Sequence, residues 1–179
     1  MCLEGIGEDA KTCMKCDLRA GRHNTVPGEG PCDAEVMLVG EAPGAEEDLS
    51  GRPFVGRAGK VLDRALAQAG LDRSKIFITS VIKCRPPGNR KPKTVEILEC
   101  LPLLQAQIDA IKPKAIGLMG NVAAKAILGV EGVTCLHGQV FQNRYVVTYH
   151  PAAILRRREL QEDLVSDLRN IKELALSCK

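Results

Sequence analysis

Tryptophan is absent from this chain, and aromatic residues make up only 3% of its 179 positions. No stretch approaches the roughly 20 continuous apolar residues that a membrane-spanning helix requires. The opening MCLEGIGEDAKTC is acidic and lacks the basic and then apolar run of a secretory signal, so a cytoplasmic location is expected and no membrane partner. Neither G-x-x-x-x-G-K-[ST] nor G-x-G-x-x-G occurs, which removes the nucleoside-triphosphate reading. The C-x-x-x-C-x-x-C run of radical enzymes is missing too. With 45% apolar residues the chain is neither disordered, collagenous nor a coiled coil, and its length suits one domain spanning residues 1–179.

The net charge is only +3, but its distribution is uneven. Residues 83–93, KCRPPGNRKPK, hold five positive charges and no acid; Arg156, Arg157 and Arg158 are consecutive; Glu41, Glu46, Glu47 and Asp48 form an acidic patch. A basic run by itself is as often a solvated loop as a binding surface.

Apolar runs rich in β-branched residues at 35–40, 75–82, 114–120 and 144–150 read as buried strands. Helical periodicity covers 56–69, 94–111, 122–128 and about 159–176. The alternation predicts βαβ crossovers, hence an α/β fold with a parallel sheet and helices on both faces. Ligands of such sheets bind beyond the strands' carboxyl ends, so the segments after Gly40, Ile82, Gly120 and His150 are the ones to inspect.

Cys13 and Cys16 form a C-x-x-C pair, while Cys84 and Cys100 bracket a proline-rich loop and the start of a helix. Two ligands from a tight turn and two from afar can build a four-thiolate site, and this spacing leaves zinc and a four-iron cluster equally open. Reducing cytosol favours metal ligation over disulfides, with archaeal and other hyperthermophile cytosols the exception that leaves disulfides among the other cysteines as the alternative. Cys2, Cys32, Cys135 and Cys178 are read as packing or surface thiols.

The first strand runs into GEAPG (Gly40 to Gly44), presenting Glu41 and then Phe54, one of only three phenylalanines, on a polar segment. A ring beside a carboxylate suits the stacking of a flat heterocycle. The last strand ends in His150 and Pro151, which puts the imidazole at its carboxyl end. Ile154 and Leu155 follow on a basic segment, the composition of an apolar wedge that enters a base stack while arginines hold phosphate.

GEAPGAEEDLSGRPFVGRAG (Gly40 to Gly59), ITSVIKCRPPGNRKP (Ile78 to Pro92), the four cysteines and HPAAILR (His150 to Arg156), in that order, resemble the family 4, iron-sulfur uracil-DNA glycosylases. The resemblance implies a three-layer α/β/α sandwich, whose central sheet is the four-stranded parallel one read from the apolar runs. It also implies one structural 4Fe-4S cluster on Cys13, Cys16, Cys84 and Cys100, which ties down the N-terminal segment, and no catalytic metal. The implied activity is monofunctional hydrolysis of deoxyuridine in single- or double-stranded DNA, by a monomer in base excision repair. His150 would stabilise the departing uracil together with backbone N–H groups of Gly40, Ala42 and Gly44, and Glu41 would position or activate water. Phe54 would stack the base, Glu47 would exclude thymine's methyl group, and Asn89 would reach in from the cluster loop. Ile154 or Leu155 would fill the vacated stack, with Arg156, Arg157, Arg85 and Arg90 on phosphates.

One position departs from the family pattern. Ser80 stands where asparagine is usual. A hydroxyl satisfies one side of the uracil N3/O4 edge where an amide satisfies both, and one lost buried partner costs about 1–3 kcal/mol. The competing readings are a uracil- or damaged-DNA-binding homologue with weakened excision, resting on Ser80, and an iron-sulfur redox protein, for which no flavin or nicotinamide signature speaks.

Overall fold

The computed structural model describes residues 3–177, so Cys2 and Cys178 lie outside the described residues. Its sheet is built from β1 (Val36–Gly40), β2 (Ile76–Ser80), β3 (Ala115–Met119), β4 (Val140–Phe141) and β5 (Tyr145–Thr148). The strand order is β2-β1-β3-β5-β4, with every pair parallel except β4 against β5. Around it stand α1 (Leu3–Thr12), α2 (Ala45–Ser50), α3 (Arg57–Ala69), α4 (Thr94–Ile111), α5 (Asn121–Leu128), α6 (Val133–Leu136), α7 (Pro151–Ile154) and α8 (Gln161–Ser177).

The expected four parallel strands are present, and the sheet gains a fifth, antiparallel at the edge. Gln142 and Asn143 both take positive φ (51° and 52°), and the Arg144 N–H donates to the Phe141 carbonyl, so the chain reverses tightly. Gln-Asn is a weaker turn signal than Asn-Gly, which is why the two-residue strand does not stand out in the sequence.

Alternation along the strands divides the core. Val36, Leu38, Ile76 and Ile78 join Val61, Leu62, Leu66, Leu164, Leu168 and Ile171 on the α3/α8 face. Met37, Val39, Phe77, Ile116 and Leu118 join Cys100, Leu104, Ile108 and Ala123 on the α4/α5 face. Each fully buried aliphatic side chain contributes roughly 1.5–3 kcal/mol, so both faces are strongly held. The result is the three-layer sandwich, with α1 packed on α4.

Because the four parallel strands point the same way, their carboxyl ends form one rim. β1 connects to β2 on one side, and the chain then returns to β3 on the other, so the loops after β1 and β3 part company there. That is the topological switch point where such sheets bind ligands.

Candidate active site

The loop after β1 is shaped by the carboxylate of Glu47. It accepts N–H bonds from Gly44 (3.1 Å), Val55 (2.9 Å) and Gly56 (2.9 Å), closing the turn at both ends of α2. Both oxygens are thus committed to backbone donors, although Glu47 also lines the cavity described below. Asp48, 1% exposed, receives the His23 backbone N–H (3.0 Å) and faces its Nδ1 (2.8 Å), anchoring the segment before β1.

Phe54 sits in the left-handed region (φ 51°), and two glycines make its seat possible. A Cβ on Gly59 would lie 1.9 Å from the Phe54 carbonyl oxygen, and one on Gly40 would lie 2.6 Å from its Cζ. Arg73 donates to the carbonyls of Pro53 (2.7 Å) and Phe54 (3.2 Å). The ring is 5% exposed and belongs to the core. It is therefore a fixed wall of the site, not a projecting probe.

From β5, Thr148 and Tyr149 lead to His150, which caps α7. Its Nδ1 accepts the Ala152 N–H at 3.1 Å, so a neutral ring carries its proton on Nε2. Burial pushes the imidazole down to about 4, despite an opposing pull from the Glu47 charge, and the ring is uncharged at neutral pH. The ring centroids of Phe54 and His150 are 5.6 Å apart. Strand rims far apart in sequence therefore meet at these two residues.

One cavity is lined by Glu41, Ala42, Gly44, Glu47, Phe54, Ser80, Asn89 and His150, and Gly40 lies under Phe54 at its edge. Lys91, Leu155 and Arg156 line it as well, and Asn121 enters it from the start of α5. Burial raises the Glu41 carboxyl above the usual carboxylate value, with Lys91 pulling the other way. Ser80 is buried, and its main-chain oxygen accepts a 2.7 Å bond from the Lys83 ammonium. Lys83 is itself fully enclosed, and also donates to Thr79 Oγ1 (2.6 Å) and Gln107 Oε1 (2.8 Å). Asn89 Oδ1 accepts from Arg85 Nε at 2.7 Å.

Two residues expected on DNA are spent elsewhere. Ile154 is 5% exposed and packs in the α3/α8 core, because the single turn of α7 directs it inward, whereas Leu155 is 43% exposed. Arg90 makes a two-pronged ion pair with Glu96 (2.8 and 2.6 Å), whose carboxylate is almost wholly buried and held low by that partner. Removing Arg90 would strand that charge, so its role is structural. Arg157 leans on Glu159 (2.9 Å), while Arg156 is exposed on the cavity wall.

Cys13, Cys16, Cys84 and Cys100 line a second cavity, between the segment after α1 and the start of α4. Arg22 donates to Cys84 Sγ (3.1 Å) and the Lys83 N–H to Cys100 Sγ (3.3 Å). Among the described residues no three His, Cys, Asp or Glu side chains are grouped to grip one metal ion, and the four cysteines share the wall of this one cavity. Burial pushes the Cys100 thiol up to about 11 and that of Cys84 upward, so metal binding there must displace protons. Donor type, convergence and adjacent positive charge all fit a thiolate-bound group. Cys32 and Cys135 are exposed and stand apart. The sequence gives no warning of Arg22, which lies 62 residues from Cys84.

A sheet-rim cavity with a neutral histidine facing a seated phenylalanine defines a class, and the family model of the Uracil DNA glycosylase superfamily matches residues 27–170. The type-4 uracil-DNA glycosylase of Pyrobaculum aerophilum is 44% identical, covering 94% of this chain and 92% of that protein. That of Sulfurisphaera tokodaii is 45% identical (99% and 86%), and that of Thermotoga maritima 38% (95% and 93%). The chain belongs to the type-4 uracil-DNA glycosylases.

Proposed function

We propose that this protein flips deoxyuridine out of DNA and hydrolyses its N-glycosidic bond, releasing uracil and leaving an abasic site for base excision repair. The observation that carries the reading is the His150 ring, with Nδ1 occupied by the Ala152 N–H and its remaining donor available beside Phe54.

Uracil inside a stack is out of reach, so extrusion at a few kcal/mol must come first. Stacking on the Phe54 wall returns roughly 1–3 kcal/mol. Leu155 is the wedge for the vacated gap, with Arg156 on a flanking phosphate. As the bond to the sugar breaks, negative charge gathers on uracil O2, and the Nε2–H of His150 donates to it. A neutral donor has no proton to surrender at this pH, so it stabilises the anion without being consumed. Glu41, raised by burial and thus a stronger base, orients the water that attacks the sugar carbon. The Ser80 hydroxyl reads part of the N3/O4 edge. Glu47 acts first by holding the loop on its three N–H bonds, and through that loop shapes the wall at the uracil C5 edge.

Cys13, Cys16, Cys84 and Cys100 would hold a 4Fe-4S cluster, which when bound supplies a cross-link between the N-terminal segment and the proline-rich loop. The Arg22 guanidinium, bonded to Cys84 Sγ, would offset its negative charge, and the Lys83 backbone N–H would donate to Cys100 Sγ. The enzyme acts as a monomer in the cytoplasm, on single- or double-stranded DNA. No helix among the described residues is long and apolar enough to cross a membrane.

The test is incubation with a labelled uracil-containing oligonucleotide, followed by assay of free base and alkali treatment. Uracil release with breakage only after alkali is expected. Tight binding without release would favour the binding-protein reading that Ser80 motivates. Iron and sulfide analysis of the purified protein tests the cluster.

A further inference from the structure

The proline-rich loop carries five cations, and the fold disposes of them unequally. Lys83 is enclosed, Arg85 is bonded to Asn89, and Arg90 is paired with Glu96. Lys93 has its backbone N–H on Glu96 Oε2 (2.7 Å). Lys91, like Lys93, has a held main chain and an exposed side chain, but of the five it is the one on the wall of the active-site cavity.

The pinning is specific. Arg90 Nη1 donates to the Lys91 carbonyl at 3.0 Å while the same guanidinium holds Glu96, which is 3% exposed. Pro92, which follows, has its own φ fixed by its ring, and Asn89, two residues before, takes the left-handed backbone (φ 56°). A fixed backbone with an unengaged ammonium loses little loop entropy when it meets an anion. The side chain shares the cavity with Glu41, and its charge is felt there. A carboxylate and an ammonium on one wall that do not bond each other suit a substrate with both an electrophilic sugar and a phosphate.

We propose that Lys91 grips the DNA phosphate adjoining the flipped deoxyuridine, with the Arg90–Glu96 pair as the brace that aims it. This rests on the uracil-excision reading and assigns that site a phosphate contact in addition to the one at Arg156. Lysine acts here as a point charge on a flexible stem, which tolerates the sugar's movement as the bond breaks.

The experiment measures binding of wild type, Lys91→Gln and Lys75→Gln to a duplex bearing a non-cleavable abasic analogue, across 50–200 mM salt, together with uracil release by each. Lys75 is exposed just before the amino end of β2, on the far rim, and is the control. Loss of one phosphate contact lowers the slope of log affinity against log salt by about 0.9. The wild-type advantage over Lys91→Gln should therefore shrink about threefold to fourfold across that range, with Lys75→Gln matching wild type. An unchanged slope in Lys91→Gln, with wild-type uracil release intact, overturns the assignment. So does strand nicking before alkali that disappears in Lys91→Gln, which would make Lys91 a Schiff-base nucleophile. Failure of the wild type to release uracil instead refutes the reading beneath it.

Discussion

Replacing His150 with asparagine removes the donor that the site aims at the departing base while keeping a short polar side chain. Its Nδ1 is committed to the Ala152 N–H, so only Nε2–H faces the reaction, and its loss is the loss of one preorganised donor. Such a donor is worth about 3–4 kcal/mol in the transition state, or roughly a hundredfold to a thousandfold in rate. The pH dependence sharpens the test. Burial holds the imidazole at about 4, below its ordinary 6.5, so it is neutral throughout the range where the enzyme can be assayed. The ratio of wild-type to His150→Asn single-turnover rates should then be flat between about pH 5 and 8. Rates come from labelled deoxyuridine oligonucleotide under enzyme excess, and affinity for an abasic-analogue duplex should change little. A loss below tenfold, or a ratio that falls with a midpoint near 6.5, would mean that a cationic imidazole or another group stabilises uracil.

Glu41→Gln should cost about a hundredfold or more in the chemical step, as expected for loss of a base. Because burial raises the Glu41 carboxyl, wild-type activity should fall as pH drops through a midpoint above 4.5, and the variant should lose that limb; retention of most activity in a pH–rate series refutes its role as base. Ser80→Asn restores an amide at the uracil edge and should raise uracil excision or its selectivity over cytosine by about fivefold to a hundredfold. No gain in kcat/KM for either base would mean that the backbone already reads that edge. Gly59→Ala would drive a methyl group into the Phe54 carbonyl and should destabilise the fold by about 1–3 kcal/mol, seen as a lower Tm in calorimetry together with weaker uracil excision. An unchanged Tm would contradict the close seat described for Phe54.

The strands and the site's two poles were legible because their signals are local. β-branched runs mark β1, β2, β3 and β5, and GEAPG and HP mark the rims. The rest depends on partners distant in the chain or in space. Arg90 looks like a phosphate ligand until the fold brings Glu96, six residues on, under it; the acidic residue in the first turn of α4 was the available clue. Ile154 and Leu155 are equivalent in composition, and only the single turn of α7 decides which faces the core. Lys83 carries no sign of burial, since Gln107 lies 24 residues away. α1 carries only a weak periodic signal, because its 10 residues bury only Ile6 and Ala10.

The most direct measurement is a crystal structure of the protein after turnover of a uracil-containing oligonucleotide, with the released base retained. Uracil should lie against the Phe54 ring with O2 within hydrogen-bonding distance of His150 Nε2. Uracil bound elsewhere, or O2 turned away from His150, would contradict the account.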